Sequence, residues 1–153
     1  MNAGYICEVT GQISKMGLEN SSAKMVNQET LLIALYGATA GVTAISKINA
    51  AINQAVLAIV PTNASVEFLY FKLSYLKNWL ITTYTQGGQP NLSADIVKSI
   101  EISIPKKEEQ TAIATILSDM DAEINALQQK REKTSQLKQG MMQELLTGKT
   151  RLI

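Results

Sequence analysis

EEQTAIATILSDMDAEINALQQKREKTSQLKQGMMQELL, residues 108–146, decides the architecture of this chain. Its apolar residues fall on alternating four- and three-residue steps: Ile113, Leu117, Met120, Ile124 and Leu127, then Met141 and Leu145. Arg131, Thr134 and Lys138 hold the same seam between Leu127 and Met141. That spacing is the heptad signature of a helix lying along another helix. At 1.5 Å per residue the helix is roughly 57 Å long. So long a helix, apolar on one side only, needs a partner along most of its length. The polar residues in mid-seam weaken the contact but set register and orientation. Glu108 and Glu109 sit in the first turn, where carboxylates complement the helix dipole, and Gly148 is a C-terminal stop.

The sequence before this rod predicts a small head, so the expected fold class is α+β. A mixed α/β domain on residues 1–105 is followed by one long coiled-coil-forming helix on residues 106–153. Composition is neutral on function: the formal net charge is +1, which by itself favours neither nucleic acid nor membrane. Both arginines, Arg131 and Arg151, lie beyond the head, so any phosphate or base contact there must use Lys, Asn, Gln, Ser, Thr or backbone N–H. The single cysteine, Cys7, forms no internal disulfide and fits a reducing compartment. With no histidine, a structural zinc site is discarded. The start MNAGYICEVTGQ lacks the basic and apolar regions of a signal peptide, and no apolar run of about 18 residues exists. A soluble, cytoplasmic protein is expected.

Within the head, residues 1–30 read as extended chain with turns. Leu31 to Tyr36 and Val42 to Ile48 read as two strands joined by a tight turn at Gly37-Ala-Thr-Ala-Gly41. Ile52 to Val60 is a third apolar stretch, closed by Pro61. From Ser65, a plausible N-cap, the period turns helical to about Tyr84 through Phe68, Phe71 or Lys72, Tyr75, Leu76 and Trp79. The loop from Gln86 to Asn91 ends it. Ser93 to Val97 is a helical turn, and Ile100, Ile102 and Ile104 alternate as a strand.

No catalytic set emerges: Cys7 has no histidine partner, and no serine sits in a nucleophile elbow. Gly148-Lys149-Thr150 resembles the end of a phosphate-binding loop, but position 143 is Gln and the lead-in is a helix. The glycines of the 37–41 turn, taken alone, only permit the turn. Asp119, Asp121 and Glu123 read as rod-surface charges rather than metal ligands. Tyr70, Phe71, Tyr75 and Trp79 read as core before base-stacking platform.

Several segments in order carry a resemblance. They are Gly17-Leu-Glu-Asn-Ser-Ser-Ala-Lys24, Ile33-Ala-Leu-Tyr-Gly-Ala-Thr-Ala-Gly41, Asn53-Gln-Ala-Val56 and Gly88-Gln-Pro-Asn-Leu92. Ile104-Pro105, Glu109-Gln110, Ile116-Leu-Ser-Asp-Met-Asp121 and Leu137-Lys-Gln-Gly-Met-Met-Gln-Glu-Leu-Leu-Thr-Gly-Lys149 follow. The series resembles the specificity (S) subunit of type I restriction–modification systems over nearly the whole chain. In that family two target-recognition domains each precede a long helix, and the helices pair antiparallel as a spacer. The resemblance implies a non-catalytic subunit that reads double-stranded DNA. It would position methyltransferase (M) subunits, which use S-adenosylmethionine, and through them restriction (R) subunits. The chain itself would need no cofactor and no membrane.

With one head and one helix, the chain resembles the C-terminal half of such a subunit, its head starting late relative to the family pattern. Residues 1–105 are then one recognition domain and 106–153 the spacer helix. The seam Ile113, Leu117, Met120, Ile124, Leu127, Arg131, Thr134, Lys138, Met141 and Leu145 is the expected pairing interface. Its partner is a second copy, in a homodimer, or another S half-subunit. Within the head, Thr39, Gln89, Asn91 and Ser93 are expected to position the duplex through its backbone. Gln12, Lys15, Lys47 and Asn49 are expected to reach base edges, because Lys donates to guanine and Asn or Gln pairs with adenine. Two competing readings stand beside this one: an adaptor that docks M or full-length S without reading DNA, and an enzyme. The methyltransferase signature Asn/Asp-Pro-Pro-Tyr/Phe is absent, which counts against the enzyme.

Overall fold

The computed structural model describes residues 4–84 and 90–153. Six strands and four α-helices are found among them: β1 (Gly4–Ile6), α1 (Lys15–Glu19), β2 (Lys24–Val26), β3 (Leu31–Ala34), β4 (Thr43–Ser46), β5 (Ala50–Ile52), β6 (Val56–Ile59), α2 (Val66–Tyr84), α3 (Ala94–Lys98) and α4 (Lys107–Leu146). A 3-10 turn, Gly37–Thr39, separates β3 from β4. The expected α+β class holds: a mixed head precedes one helix of 40 residues.

The main sheet runs β1-β4-β3-β6, and β2 pairs with β5 in a small second sheet. β3 is antiparallel to β4 (Leu31↔Ile45, Ile33↔Thr43) and to β6 (Leu31↔Ile59, Ala34↔Val56), while β1 is parallel to β4. Leu31, Leu32, Ile33, Ala34 and Leu35 are all buried, which is why this stretch reads as an unbroken apolar run rather than an alternation. One core cluster gathers Ile33, Leu35, Leu92 and Val97; the other gathers Leu31, Ile45 and Leu73. The buried hydroxyl of Thr43 is satisfied by Ser74 at 2.6 Å, and that of Ser46 donates to the Ile48 carbonyl at 2.6 Å. The cost of burying these polar groups is thereby met.

Four local expectations change. The 1–30 segment contains β1, the short helix α1 and β2, with Ser14 accepting the Gly17 amide as N-cap. The stretch from Ile52 to Val60 is not one strand. Asn53 Oδ1 accepts the Ala55 amide at 3.0 Å, and this turn sends Ile52 to the small sheet and Val56–Ile59 to the main one. Ile100 to Ile104 is in neither sheet; Ile100 and Ile102 pack against the two core clusters without a strand partner. The core face of α2 is also displaced. Phe68, Leu73 and Leu80 are its buried residues, whereas Tyr75 is 82% and Trp79 46% exposed. The sheet contacts Leu73 and its helical neighbours, so the aromatic spacing through Tyr75 and Trp79 lies on another side.

The chain divides into two compact units, Met1–Ala114 and Thr115–Ile153, the division falling inside α4. In the first unit, Gln110 and Ala114 of α4 are buried. In the second, every residue from Asp119 to Gln143 is exposed, with Met120, Ile124, Leu127 and Met141 each at least half so.

Candidate nucleic-acid interface and helix seam

The head's loops collect at two ends of β3. At the Ala34 end, the 37–41 turn meets Pro90 and Asn91: Gly37 donates its amide to the Pro90 carbonyl at 3.0 Å, and the Leu92 amide donates to Leu35 at 2.8 Å. Tyr36 and Asn91 form a lone antiparallel bridge. Gly37 and Gly41 have φ of +70° and +74°, the left-handed region where a side chain is strained. Thr39 is half-buried in this turn, Asn91 is exposed beside it, and the Ser93 hydroxyl is occupied as the N-cap of α3, accepting the Ile96 amide at 3.1 Å. The structure thus brings Thr39, Asn91 and Ser93 to one end. Gln89 lies outside the described residues.

At the opposite end, roughly 10 Å along the strand, lie Lys47 and Asn49. Both engage the turn between β2 and β3. Asn49 Oδ1 accepts the Gln28 amide at 2.9 Å, and Lys47 Nζ donates to both carboxylate oxygens of Glu29 at 2.9 and 2.7 Å. The ammonium also stands 4.8 Å from the centre of the Tyr5 ring, which stacks on Tyr70. The hydrogen bond to Glu29 raises the Lys47 pKa above its ordinary value, so the charge is firmly held. Glu29 itself has a φ of +61°, uncommon for a residue with a side chain. Lys15, on α1, pairs with Glu19 at 3.9 Å, and Gln12 is exposed on the approach to that helix. Of the four residues expected to read bases, Lys47 and Asn49 share the turn between β2 and β3, while Lys15 pairs within α1. Of them, Lys15 and Lys47 are already charge-paired.

The head contains six lysines, at 15, 24, 47, 72, 77 and 98. Three are in ion pairs: Lys15, Lys47 and Lys98. Among the described residues Lys24, Lys72 and Lys77 have no carboxylate within ion-pair distance. The sequence reading singled out none of these three, and only in the fold does Lys77 come against Gly41 of the 37–41 turn.

The seam of α4 passes from half-buried Ile113 and Leu117 to exposed Met120, Ile124 and Leu127, then Arg131, Thr134, Lys138 and Met141, to half-buried Leu145. The stripe is apolar at both ends and polar in the middle, over Arg131, Thr134 and Lys138. The helix surface is also polarised. Residues 108–129 hold five acids and no cation, whereas residues 130–138 hold Lys130, Arg131, Lys133 and Lys138 against Glu132 alone. No group of three or more metal-ligating side chains occurs among the described residues, and no helix is long and apolar enough to cross a membrane.

Residues 2–138 match the family model for the type I restriction modification DNA specificity domain. The chain is 31% identical over 152 residues to the type I restriction enzyme MjaVIII specificity subunit of Methanocaldococcus jannaschii, covering 94% of this chain and 36% of that protein. It is 31% identical over 137 residues to the putative type I restriction enzyme MjaX specificity subunit of the same organism, covering 87% and 32%. Its fold is similar to a chain from a structural study of complex assembly and conformational transition in a type I R-M system (TM-score 0.64, 21% identity, 79% of this chain and 31% of that one). It is also similar to the crystal structure of the HsdS subunit from Thermoanaerobacter tengcongensis (TM-score 0.58, 21% identity, 79% and 30%). The chain spans about a third of the length of the proteins it matches.

Proposed function

The chain belongs to the type I restriction modification DNA specificity family, and on that premise we propose that it is a non-catalytic module that reads one half of a bipartite DNA site. In this reading residues 1–105 are the recognition domain and residues 106–153 the spacer helix. The module positions M subunits, and through them R subunits, on the duplex; S-adenosylmethionine is bound by the M partner and not by this chain. The observation that carries the reading is the pairing, in a chain matched by the family over most of its length, of a looped head with a long helix whose apolar seam is exposed.

The seam's occupant in this reading is a second copy lying antiparallel. A parallel in-register pair would set Arg131 on Arg131 and Lys138 on Lys138 in the seam, and acidic half on acidic half. The antiparallel arrangement sets Leu127 on Arg131, Ile124 on Thr134 and Met120 on Lys138. It ends with Leu117 on Met141 and Ile113 on Leu145, and the acid-rich half of each helix runs along the base-rich stretch of its partner. Like charges in contact are disfavoured, so charge selects orientation. Two identical heads related by a two-fold axis would read a symmetric, interrupted site.

A second reading, an adaptor that docks M or a full-length S subunit without reading DNA, is favoured by the pairing of half the head's lysines with carboxylates. Selection from a random duplex library, with the M subunit of the same system present, separates the two. A pool enriched in paired, inverted half-sites supports the specificity module. Co-purification with M and an unenriched pool supports the adaptor.

A further inference from the structure

The sheet-facing stripe of α2 contains a lysine where the pattern calls for an apolar residue. Leu73 and Leu80 are buried, Ile81 packs on a core cluster, and Lys77 lies between them, four residues after Leu73 and three before Leu80. A Cβ placed on Gly41 would come within 3.1 Å of Lys77 Cγ and 3.6 Å of Ile81 Cδ1. The lysine stem therefore occupies the space that a side chain at position 41 would need. Lys77 is half-buried and, among the described residues, has no ion-pair partner. A lysine with a packed stem keeps its ammonium where water or an anion can reach it. At this end of β3 the neighbouring features are the 37–41 turn with Thr39, and Asn91 held beside Tyr36; no acid is among them.

We propose that Lys77 is a DNA-backbone contact of the head, its ammonium neutralising a phosphate laid against the 37–41 turn. The inference rests on the reading of the head as DNA-binding and names a cation for it: Lys15 and Lys47 are engaged by Glu19 and Glu29, whereas Lys77, like Lys24 and Lys72, has no ion-pair partner among the described residues, and its stem packs against Gly41. Packing of the stem against Gly41 fixes the position of the charge, which a solvent-exposed lysine would leave to rotamer freedom. A phosphate contact carries no sequence information but sets register on the duplex.

Because the contact is sequence-independent, its test needs no knowledge of the target. Binding of the full chain to a fluorescent random-sequence 30-bp duplex is measured by anisotropy across a salt series, for wild type, Lys77→Met and Lys77→Arg. Lys77→Met keeps an unbranched stem over Gly41 and removes only the charge; unchanged circular dichroism and melting establish that it folds. The expected result is a salt slope, log K against log salt, smaller by about 0.9 for Lys77→Met, with the wild-type slope restored by Lys77→Arg. Wild-type binding with an unchanged slope in folded Lys77→Met overturns this proposal and leaves the DNA-binding reading standing. Absence of salt-dependent binding by the wild type overturns both.

Discussion

Gln110 closes on Ser65. Its Oε1 accepts the Ser65 amide at 2.8 Å, while its Nε2 donates to the Pro105 carbonyl at 2.9 Å, in a side chain only 2% exposed. Ser65 is in turn the N-cap of α2, its hydroxyl accepting the Phe68 amide at 3.0 Å. One buried amide thus ties the first turn of α4 to the first turn of α2, within the unit Met1–Ala114. A glutamine suits the place because it offers one acceptor and one donor to two backbone groups of opposite character.

Gln110→Leu keeps the volume and orphans the Ser65 amide and the Pro105 carbonyl. The expected cost is about 1–3 kcal/mol, read as a lower urea midpoint with an unchanged slope. Gln110→Glu retains the acceptor toward Ser65 but turns the other oxygen on the Pro105 carbonyl. Its loss should shrink at acid pH, where the carboxyl regains a proton to donate.

The displaced face of α2 makes a paired prediction. Leu73 is 3% exposed and packs with Leu31 and Ile45, so Leu73→Ala should cost about 2–5 kcal/mol. Tyr75, two residues on and 82% exposed, should tolerate Tyr75→Ser within about 0.5 kcal/mol. Equal losses at the two positions in thermal unfolding would return Tyr75 to the core.

Helix orientation is accessible to cross-linking. In a Cys7→Ser background, a chain carrying Leu117→Cys mixed with one carrying Met141→Cys should form the mixed disulfide under mild oxidation. Leu117→Cys alone should cross-link poorly. Efficient self-cross-linking of Leu117→Cys would instead indicate a parallel pair. Leu117→Asp with Met141→Asp should convert the proposed antiparallel dimer to monomer in sedimentation, since Leu117 on Met141 is a layer apolar on both sides and the change sets carboxylate on carboxylate.

The Lys47–Glu29 pair carries a pH signature. Its hydrogen bond raises the folded-state lysine pKa above the ordinary 10.5, so the stabilisation is complete below that value. It is lost as pH climbs through the folded pKa. A double-mutant cycle of Lys47→Met and Glu29→Gln should give a coupling of about 0.2–1 kcal/mol at pH 8, because both side chains are partly exposed. Well above the ordinary lysine pKa the coupling should be smaller. A coupling that grows with pH would contradict the pairing.

Sequence periodicity alone determined the long helix. Heptad steps, the two glutamates of its first turn and Gly148 beyond its end are local signals, readable wherever the chain goes. The same holds for the strands at Leu31 and Thr43, whose apolar runs flank the Gly37–Gly41 turn, and for the cap at Ser65. Family resemblance joined the 37–41 turn to the segment around Pro90 and Asn91, and in the fold Gly37 and Pro90 are hydrogen-bonded. Tertiary structure decided what depends on contacts between distant residues. Ile100 to Ile104 alternates like a strand, yet it joins neither sheet, and Ile100 and Ile102 serve as core cover instead. Which side of α2 is core was set by where β3 and β4 lie, a choice its evenly spread apolar residues left open. Lys47 meets Glu29 across 18 residues, and Lys77 meets Gly41 from another element. Charge availability is a property of such meetings, so which lysines lack a carboxylate partner emerges only once the chain is folded.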